Sequence, residues 1–167
     1  MQYYSLDGTI NEFFSRCTVT WDECDQKAVQ LTGEAVRPVP IQGSFSYTVA
    51  GEKLLVQFRA SHSPLDTERL ALARTIHGDV VPACVAKETF GPSPALTVYV
   101  MEKVPGITYI EASLASLRCP AWQERTVADL ARCVPRRRAT RPQLTCQEIL
   151  CQFVAIPARG GVLSRGV

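Results

Sequence analysis

Gly43-Ser44-Phe45-Ser46-Tyr47-Thr48-Val49-Ala50-Gly51-Glu52-Lys53-Leu54-Leu55-Val56-Gln57-Phe58-Arg59 decides the fold. Phe45, Tyr47 and Val49 alternate with Ser44, Ser46, Thr48 and Ala50, a period of two that sends the two sets to opposite faces of a strand. Gly51-Glu52 supplies a tight turn. Beyond it Leu54, Val56 and Phe58 share one face of a second strand, and Leu55, Gln57 and Arg59 share the other. The stretch is therefore a β-hairpin. Gly43-Ser44 bends the chain out of an earlier strand, Val36 to Ile41. Pro38 and Pro40 lack the N–H that a central strand needs, which assigns that strand to an edge.

Downstream, Ser63-Pro64 opens a helix with Asp66 and Glu68 in its first turns, where acids suit the helix dipole. Leu65, Leu72 and Ile76 run along one side of it, and Gly78 ends it. Val80 to Phe90 reads as a strand with a proline near its start. Gly91-Pro92-Ser93-Pro94 is a loop, and Leu96 to Met101 is a continuous apolar strand, as expected in the middle of a sheet. Upstream, Thr20-Trp21-Asp22-Glu23 is a capping box and the first helix signal in the chain. Trp21, Cys24, Ala28 and Leu31 form its apolar stripe, and Gly33 stops it.

After Pro105-Gly106 the pattern changes. Trp122 to Arg132 has helical composition, and an arginine- and proline-rich run, 135–142, interrupts it. Thr145-Cys146-Gln147-Glu148 repeats the capping box ahead of a short amphipathic helix carrying Ile149, Leu150 and Phe153. Residues from Gly160 onward are expected to fray. The expected fold class is α+β: a five-stranded antiparallel sheet with one packed helix, preceded by a helix and followed by a short helical extension. The expected divisions are a helical segment over 1–34, the sheet lobe over 35–106, a helical start over 107–134 and a basic tail over 135–167.

Composition limits the function classes. Of the 167 residues, 46% are hydrophobic and 20% charged, which favours a folded domain with a core. No stretch approaches the roughly 20 apolar residues of a membrane span, and Met1-Gln2-Tyr3-Tyr4-Ser5 has neither the basic start nor the apolar run of a secretory signal. The 7 cysteines are odd in number and contain no C-x-x-C, so a disulfide framework or zinc site has little support. These features fit a cytoplasmic protein with reduced thiols and no membrane partner. Charge is uneven: residues 1–135 carry 12 Lys and Arg against 15 Asp and Glu, whereas residues 136–167 carry 6 Arg against 1 Glu.

The order hairpin, helix, two strands is that of the small lobe of a protein kinase. Particular residues narrow the likeness. Val39 to Val49, Val56-Gln57-Phe58-Arg59, Leu65-Asp66-Thr67-Glu68, and Val98-Tyr99-Val100-Met101-Glu102 with Pro105-Gly106-Ile107-Thr108-Tyr109 resemble, in this order, fungal-type members of the aminoglycoside phosphotransferase (choline kinase-like) family. The resemblance covers about residues 12–132. It implies that Gly43, Ser44, Phe45 and Ser46 form a turn over nucleotide phosphates, because backbone amides at a glycine turn can approach phosphate oxygens closely. It implies that Arg59 is the cation on those phosphates and Glu68 its partner, and that Met101, Glu102 and Lys103 form the hinge against which adenine rests. Arg59 stands where the family has lysine. ATP is the implied ligand, held weakly. Each residue also has a plain reading: Gly43 as a simple turn, Arg59 as a solvated cation, Glu68 as a complement to the helix dipole.

The family's catalytic loop, His-x-Asp-x-x-x-x-Asn, and its later metal-binding Asp have no match. After Gly106 the sequence contains one aspartate, Asp129, and no histidine or asparagine. His77-Gly78-Asp79 imitates the start of that loop, but Cys84 stands where its asparagine would be, and the triplet falls before the hinge. It reads as a helix C-terminal turn. No catalytic residue is assigned, and magnesium is not expected. The charge switch near Cys133 is expected to mark a change of reading frame or splicing that replaces the large lobe.

Three functions remain open from sequence. One is a truncated phosphotransferase-like pseudoenzyme that binds nucleotide weakly, with a small-molecule or protein partner covering its exposed lobe face. Another is a small-molecule kinase completed by a partner chain. The third is a binding module using Arg136, Arg137, Arg138 and Arg141. Four arginines without interleaved aromatics make nucleic acid a poor candidate partner.

Overall fold

The structure, a computed structural model, describes residues 4–108 together with residues 111, 124, 128, 155 and 156. The chain forms two compact units, Met1–Lys103 and Val104–Val167. The expected helix at Trp122 to Arg132, the second capping box and the arginine cluster lie outside the described residues. In the second unit, β6 (Ile107–Thr108) pairs antiparallel with β7 (Ala155–Ile156). No helix among the described residues is long and apolar enough to cross a membrane.

The first unit is α+β. Its elements run α1 (Leu6–Phe14), α2 (Trp21–Thr32), β1 (Arg37–Pro38), β2 (Ser46–Ala50), β3 (Leu54–Ala60), α3 (Thr67–His77), a 3₁₀ turn (Gly78–Val80), β4 (Cys84–Phe90) and β5 (Leu96–Glu102). The five strands form an antiparallel sheet in the order β1-β2-β3-β5-β4. The period of two holds in β2 and β3: Val49 faces Val56 and Tyr47 faces Phe58, while Thr48 faces Gln57 and Ser46 faces Arg59 on the other side.

The expectation of a single packed helix is corrected. The main core lies between the sheet and the two N-terminal helices: Ile10 and Phe13 of α1 and Cys24 and Ala28 of α2 close over Tyr47, Val49, Val56, Phe58, Leu96 and Val98. Helix α1 is absent from the sequence expectations. It starts at Ser5, whose hydroxyl accepts from the Gly8 N–H at 3.1 Å. Helix α2 carries the capping box in full: the Thr20 hydroxyl accepts from the Glu23 N–H, and the Glu23 carboxylate accepts from the Thr20 N–H at 2.7 Å.

Helix α3 is rotated from its expected face. Leu72 and Ile76 are exposed, at 46% and 54%, and the residue that turns inward is Ala73. Arg74 explains the rotation. Its guanidinium reaches the Val81 carbonyl at 2.6 Å, Glu102 at 2.9 Å and Asp79 at 3.1 Å, which ties the last turn of the helix to the sheet. A small alanine allows the close approach that this grip needs. Gly78 follows with a φ of 66°, so His77-Gly78-Asp79 is a helix C-terminal turn.

Strand β1 is two residues long rather than the expected run from Val36 to Ile41. The prolines remove ladder donors, and the side chain of Gln42 replaces them. Its amide nitrogen donates to the carbonyls of Val39 (3.1 Å) and Thr48 (2.8 Å), and its amide oxygen accepts from the Thr48 N–H (2.8 Å). Gln42 is only 7% exposed. Gln42→Ala leaves the Thr48 N–H without its partner and is expected to cost about 1–3 kcal/mol. Urea unfolding should read this loss, with faster hydrogen exchange at Thr48.

One ionisable pair borders the core. The Tyr47 hydroxyl donates to Asp25 Oδ1 at 2.8 Å. Burial raises the Asp25 carboxyl above its ordinary pKa, with Tyr47 opposing and Asp22 adding to the rise. A raised folded pKa means that this group's stabilisation is complete below the unfolded carboxylate pKa, near 3.9, and fades as pH climbs through the folded value. Asparagine keeps an acceptor for Tyr47 without the charge. Asp25→Asn is therefore expected to be more stable than the parent at neutral pH, by a few tenths of a kcal/mol given solvent screening of the exposed side. The advantage should shrink towards pH ~4 in denaturant titrations.

Candidate functional site

The polar face of the sheet, opposite the core, carries Ser46 and Arg59 of the expected site. Ser46 and Thr48 of β2, Gln57 and Arg59 of β3, and Thr97 and Tyr99 of β5 stand in register across it. Gln57 is the hub: its amide nitrogen donates to the Thr48 hydroxyl (3.0 Å) and the Ser46 hydroxyl (3.4 Å), and its amide oxygen accepts from Arg59 Nη1 (3.3 Å).

Arg59 is the central feature. Strand β3 lies between β2 and β5, and the loop from β3 to α3 folds back over this face. There the Leu65 N–H donates to the Tyr99 hydroxyl at 3.1 Å. Arg59 as a residue is therefore only 7% exposed, not the solvated cation of the plain reading. Its Nε donates to the Ser63 carbonyl at 2.6 Å and its Nη2 to the Ser63 hydroxyl at 2.9 Å. Burial pulls its pKa below the ordinary guanidinium value, yet an arginine remains charged at any working pH. Among the described residues no carboxylate forms an ion pair with it.

The expected partner, Glu68, is elsewhere. It is exposed in the first turn of α3, a helix capped by Asp66. The Arg59–Glu68 pair is replaced by Arg59–Ser63 because Ser63, four residues on, delivers both a carbonyl and a hydroxyl to the planar fork.

The expected phosphate-covering turn is divided. Ser46 joins Arg59 through Gln57, and its N–H donates to the Gly43 carbonyl at 3.3 Å. A Cβ on Gly43 would approach the Ser46 hydroxyl to 3.2 Å, so a larger residue there would require that hydroxyl to shift by a few tenths of an ångström. Ser44 and Phe45 instead line a separate recess of about 60 Å³ with Arg16, Cys17 and His62. Phe45 packs edge-on against His62, with ring centroids 5.4 Å apart. That volume suits about two waters, not a nucleoside.

The hinge residues are held by the sheet. Met101 is buried in register with Leu55 and Cys84. The N–H of Glu102 donates to the Ala83 carbonyl at 3.0 Å, and that of Lys103 to the Lys53 carbonyl at 2.9 Å. The N–H groups of Glu102 and Lys103 are thus engaged within the sheet. The Glu102 carboxylate accepts from the Ala83 N–H and from Arg74; the Ala83 bond foremost holds its pKa below the ordinary value. Lys103 Nζ donates to the Gly51 carbonyl at 3.1 Å. The structure thus brings Gly43, Ser46 and Arg59 together and leaves Ser44, Phe45, Glu68, Met101, Glu102 and Lys103 outside that cluster.

Gln57 and Ser63 are the residues that sequence reasoning missed. Gln57 was legible as a polar residue two before Arg59 on the same strand face. Ser63 was legible only as part of Ser63-Pro64 at the mouth of the helix; nothing local in the sequence pointed it at Arg59. Comparison with protein-family models, with curated proteins and with solved structures returned no match for this chain.

Proposed function

We propose that this chain is a phosphotransferase-like protein that binds the phosphates of a nucleotide and does not transfer them. The observation that carries the reading is Arg59: a buried cation with no carboxylate partner among the described residues, beside Ser46, Gln57 and the glycine turn. Burying a charge is costly unless it is paired, and sites that keep such a charge are commonly those that receive an anion. Guanidinium matches phosphate oxygens in a bidentate fork. In this reading a phosphate takes the place that Ser63 holds on Arg59. The residues after Gly106 offer no His-x-Asp loop to orient an acceptor hydroxyl, which supports the reading of phosphate bound without onward transfer.

Because the N–H groups of Glu102 and Lys103 are engaged, recognition falls on the phosphate chain rather than the base. Calorimetric titration at low salt is expected to show ATP and inorganic tripolyphosphate binding with similar affinity, and no ADP formed on prolonged incubation with magnesium. Absence of heat from both ligands would remove the proposal; ADP formation would replace it with a catalytic one.

A further inference from the structure

We infer that Ser63 is a phosphorylation site of the Ser-Pro type and that Arg59 holds the resulting phosphoserine. Three observations meet at this residue. Ser63 precedes Pro64, the dipeptide that proline-directed protein kinases accept. It lies in the loop between β3 and α3, half-buried, with Ser61, His62 and Pro64 exposed around it, so the loop can be presented to a kinase in extended form. Its hydroxyl already touches the buried guanidinium: Arg59 Nη2 lies 2.9 Å from Ser63 Oγ, and Nε lies 2.6 Å from the Ser63 carbonyl. The acceptor oxygen and the cation that would receive the new charge are therefore preassembled.

The chemistry balances with a nucleoside triphosphate as donor. Ser63 Oγ attacks the γ-phosphorus and the new O–P bond forms. The bond from that phosphorus to the bridging oxygen breaks, the diphosphate leaves, and the hydroxyl proton passes to solvent. The product carries nearly two negative charges and three acceptor oxygens. Set against Arg59, it supplies the counter-charge that no carboxylate among the described residues provides, and it does so through charge-assisted hydrogen bonds. The nearby acids do not compete for the cation: Asp66 pairs with Arg69 at 2.9 Å, and Glu68 is exposed on α3. Ser93-Pro94 repeats the dipeptide, but among the described residues no arginine or lysine hydrogen-bonds Ser93. The geometry singles out Ser63.

Phosphorylated Ser63 would also fill the place assigned above to a nucleotide phosphate, and so would switch that binding off. This consequence rests on the proposed function; the modification and its capture by Arg59 do not.

The test uses the whole chain carrying Ser93→Ala, treated with a proline-directed kinase and ATP and mapped by mass spectrometry. One phosphate on Ser63 is expected. The modified protein should melt higher by about 5 °C. Its phosphoserine, followed by phosphorus NMR, should lose its second proton below the ordinary value of about 6. Both shifts should vanish in Arg59→Gln. If that variant does not fold, the phosphate titration of the modified parent, folded against urea-unfolded, makes the same decision. No phosphate on Ser63, or a phosphoserine whose titration and melting match those of a solvated residue, overturns the inference. Protein that binds no triphosphate yet melts higher once phosphorylated keeps this inference while discarding the nucleotide reading.

Discussion

Phe58→Ala is expected to destabilise the first unit by about 3–5 kcal/mol. Phe58 is fully buried on β3, the strand flanked by both β2 and β5. Its ring lies near Tyr47, centroids 6.4 Å apart and nearly parallel, and near Phe90 at 5.8 Å. Truncation removes a large apolar surface and leaves a cavity that those two rings, fixed on separate strands, cannot close. Domains of this kind have roughly 5–15 kcal/mol of stability in all, so the variant should sit near its unfolding limit, with a melting temperature lower by at least about 12 °C. Phe58→Leu, which keeps most of the volume, should cost under about 1.5 kcal/mol. Phe45→Ala is the contrast: Phe45 is 48% exposed and should change stability by no more than about 0.5 kcal/mol. Thermal and urea unfolding of the three variants would check the series. Equal losses for Phe45→Ala and Phe58→Ala would contradict the placement of the core.

That contrast shows what alternation can and cannot tell. Phe45, Tyr47 and Val49 share a phase, and the phase correctly sends Tyr47 and Val49 to the core. It says nothing about where the strand begins. β2 starts at Ser46, so Phe45 sits in the turn and escapes burial. Helix α3 makes the same point at period 3.6. Leu72 and Ile76 form a stripe, but a polar grip by Arg74 on Glu102 and Val81 fixes the rotation and leaves the stripe in solvent. Long-range bonds of this kind leave no trace in local pattern. Helix α1 was legible, since Leu6, Ile10, Phe13 and Phe14 recur at helical spacing after a serine cap, although its signal is weaker than the capping box at Thr20. Of the candidate site, the hairpin placed Ser46 and Arg59 correctly on one face, because register follows from alternation and a short turn. The Arg59–Glu68 pairing was not legible, because it depended on the path of the loop at 61–66. That loop turns Ser63 towards the guanidinium and leaves the first turn of α3 in solvent.

Arg59→Gln is expected to weaken tripolyphosphate and ATP binding by about 10- to 100-fold, the effect of losing about 1.5–3 kcal/mol of charge-assisted hydrogen bonding. Glutamine can still donate one bond towards Ser63, so the loop keeps an anchor. Acceptors left short of donors cost about 1–3 kcal/mol, offset in part because an unpaired buried cation is itself unfavourable. The variant should therefore fold, and its circular dichroism should match the parent. Arg59→Lys separates charge from shape. An ammonium keeps the attraction but cannot fork across two phosphate oxygens, so its affinity should fall between parent and Arg59→Gln, with the parent's salt dependence retained and Arg59→Gln losing part of it. Glu68→Gln, which changes an exposed carboxylate outside the Arg59 cluster, should leave binding unchanged. If instead Glu68→Gln alters affinity as strongly as Arg59→Gln, the two residues act together when ligand is bound, and the loop at 61–66 must move to let them meet. If Arg59→Gln binds triphosphate as the parent does, the buried guanidinium serves only to hold the loop through Ser63, and phosphate recognition has no remaining basis on this face of the sheet.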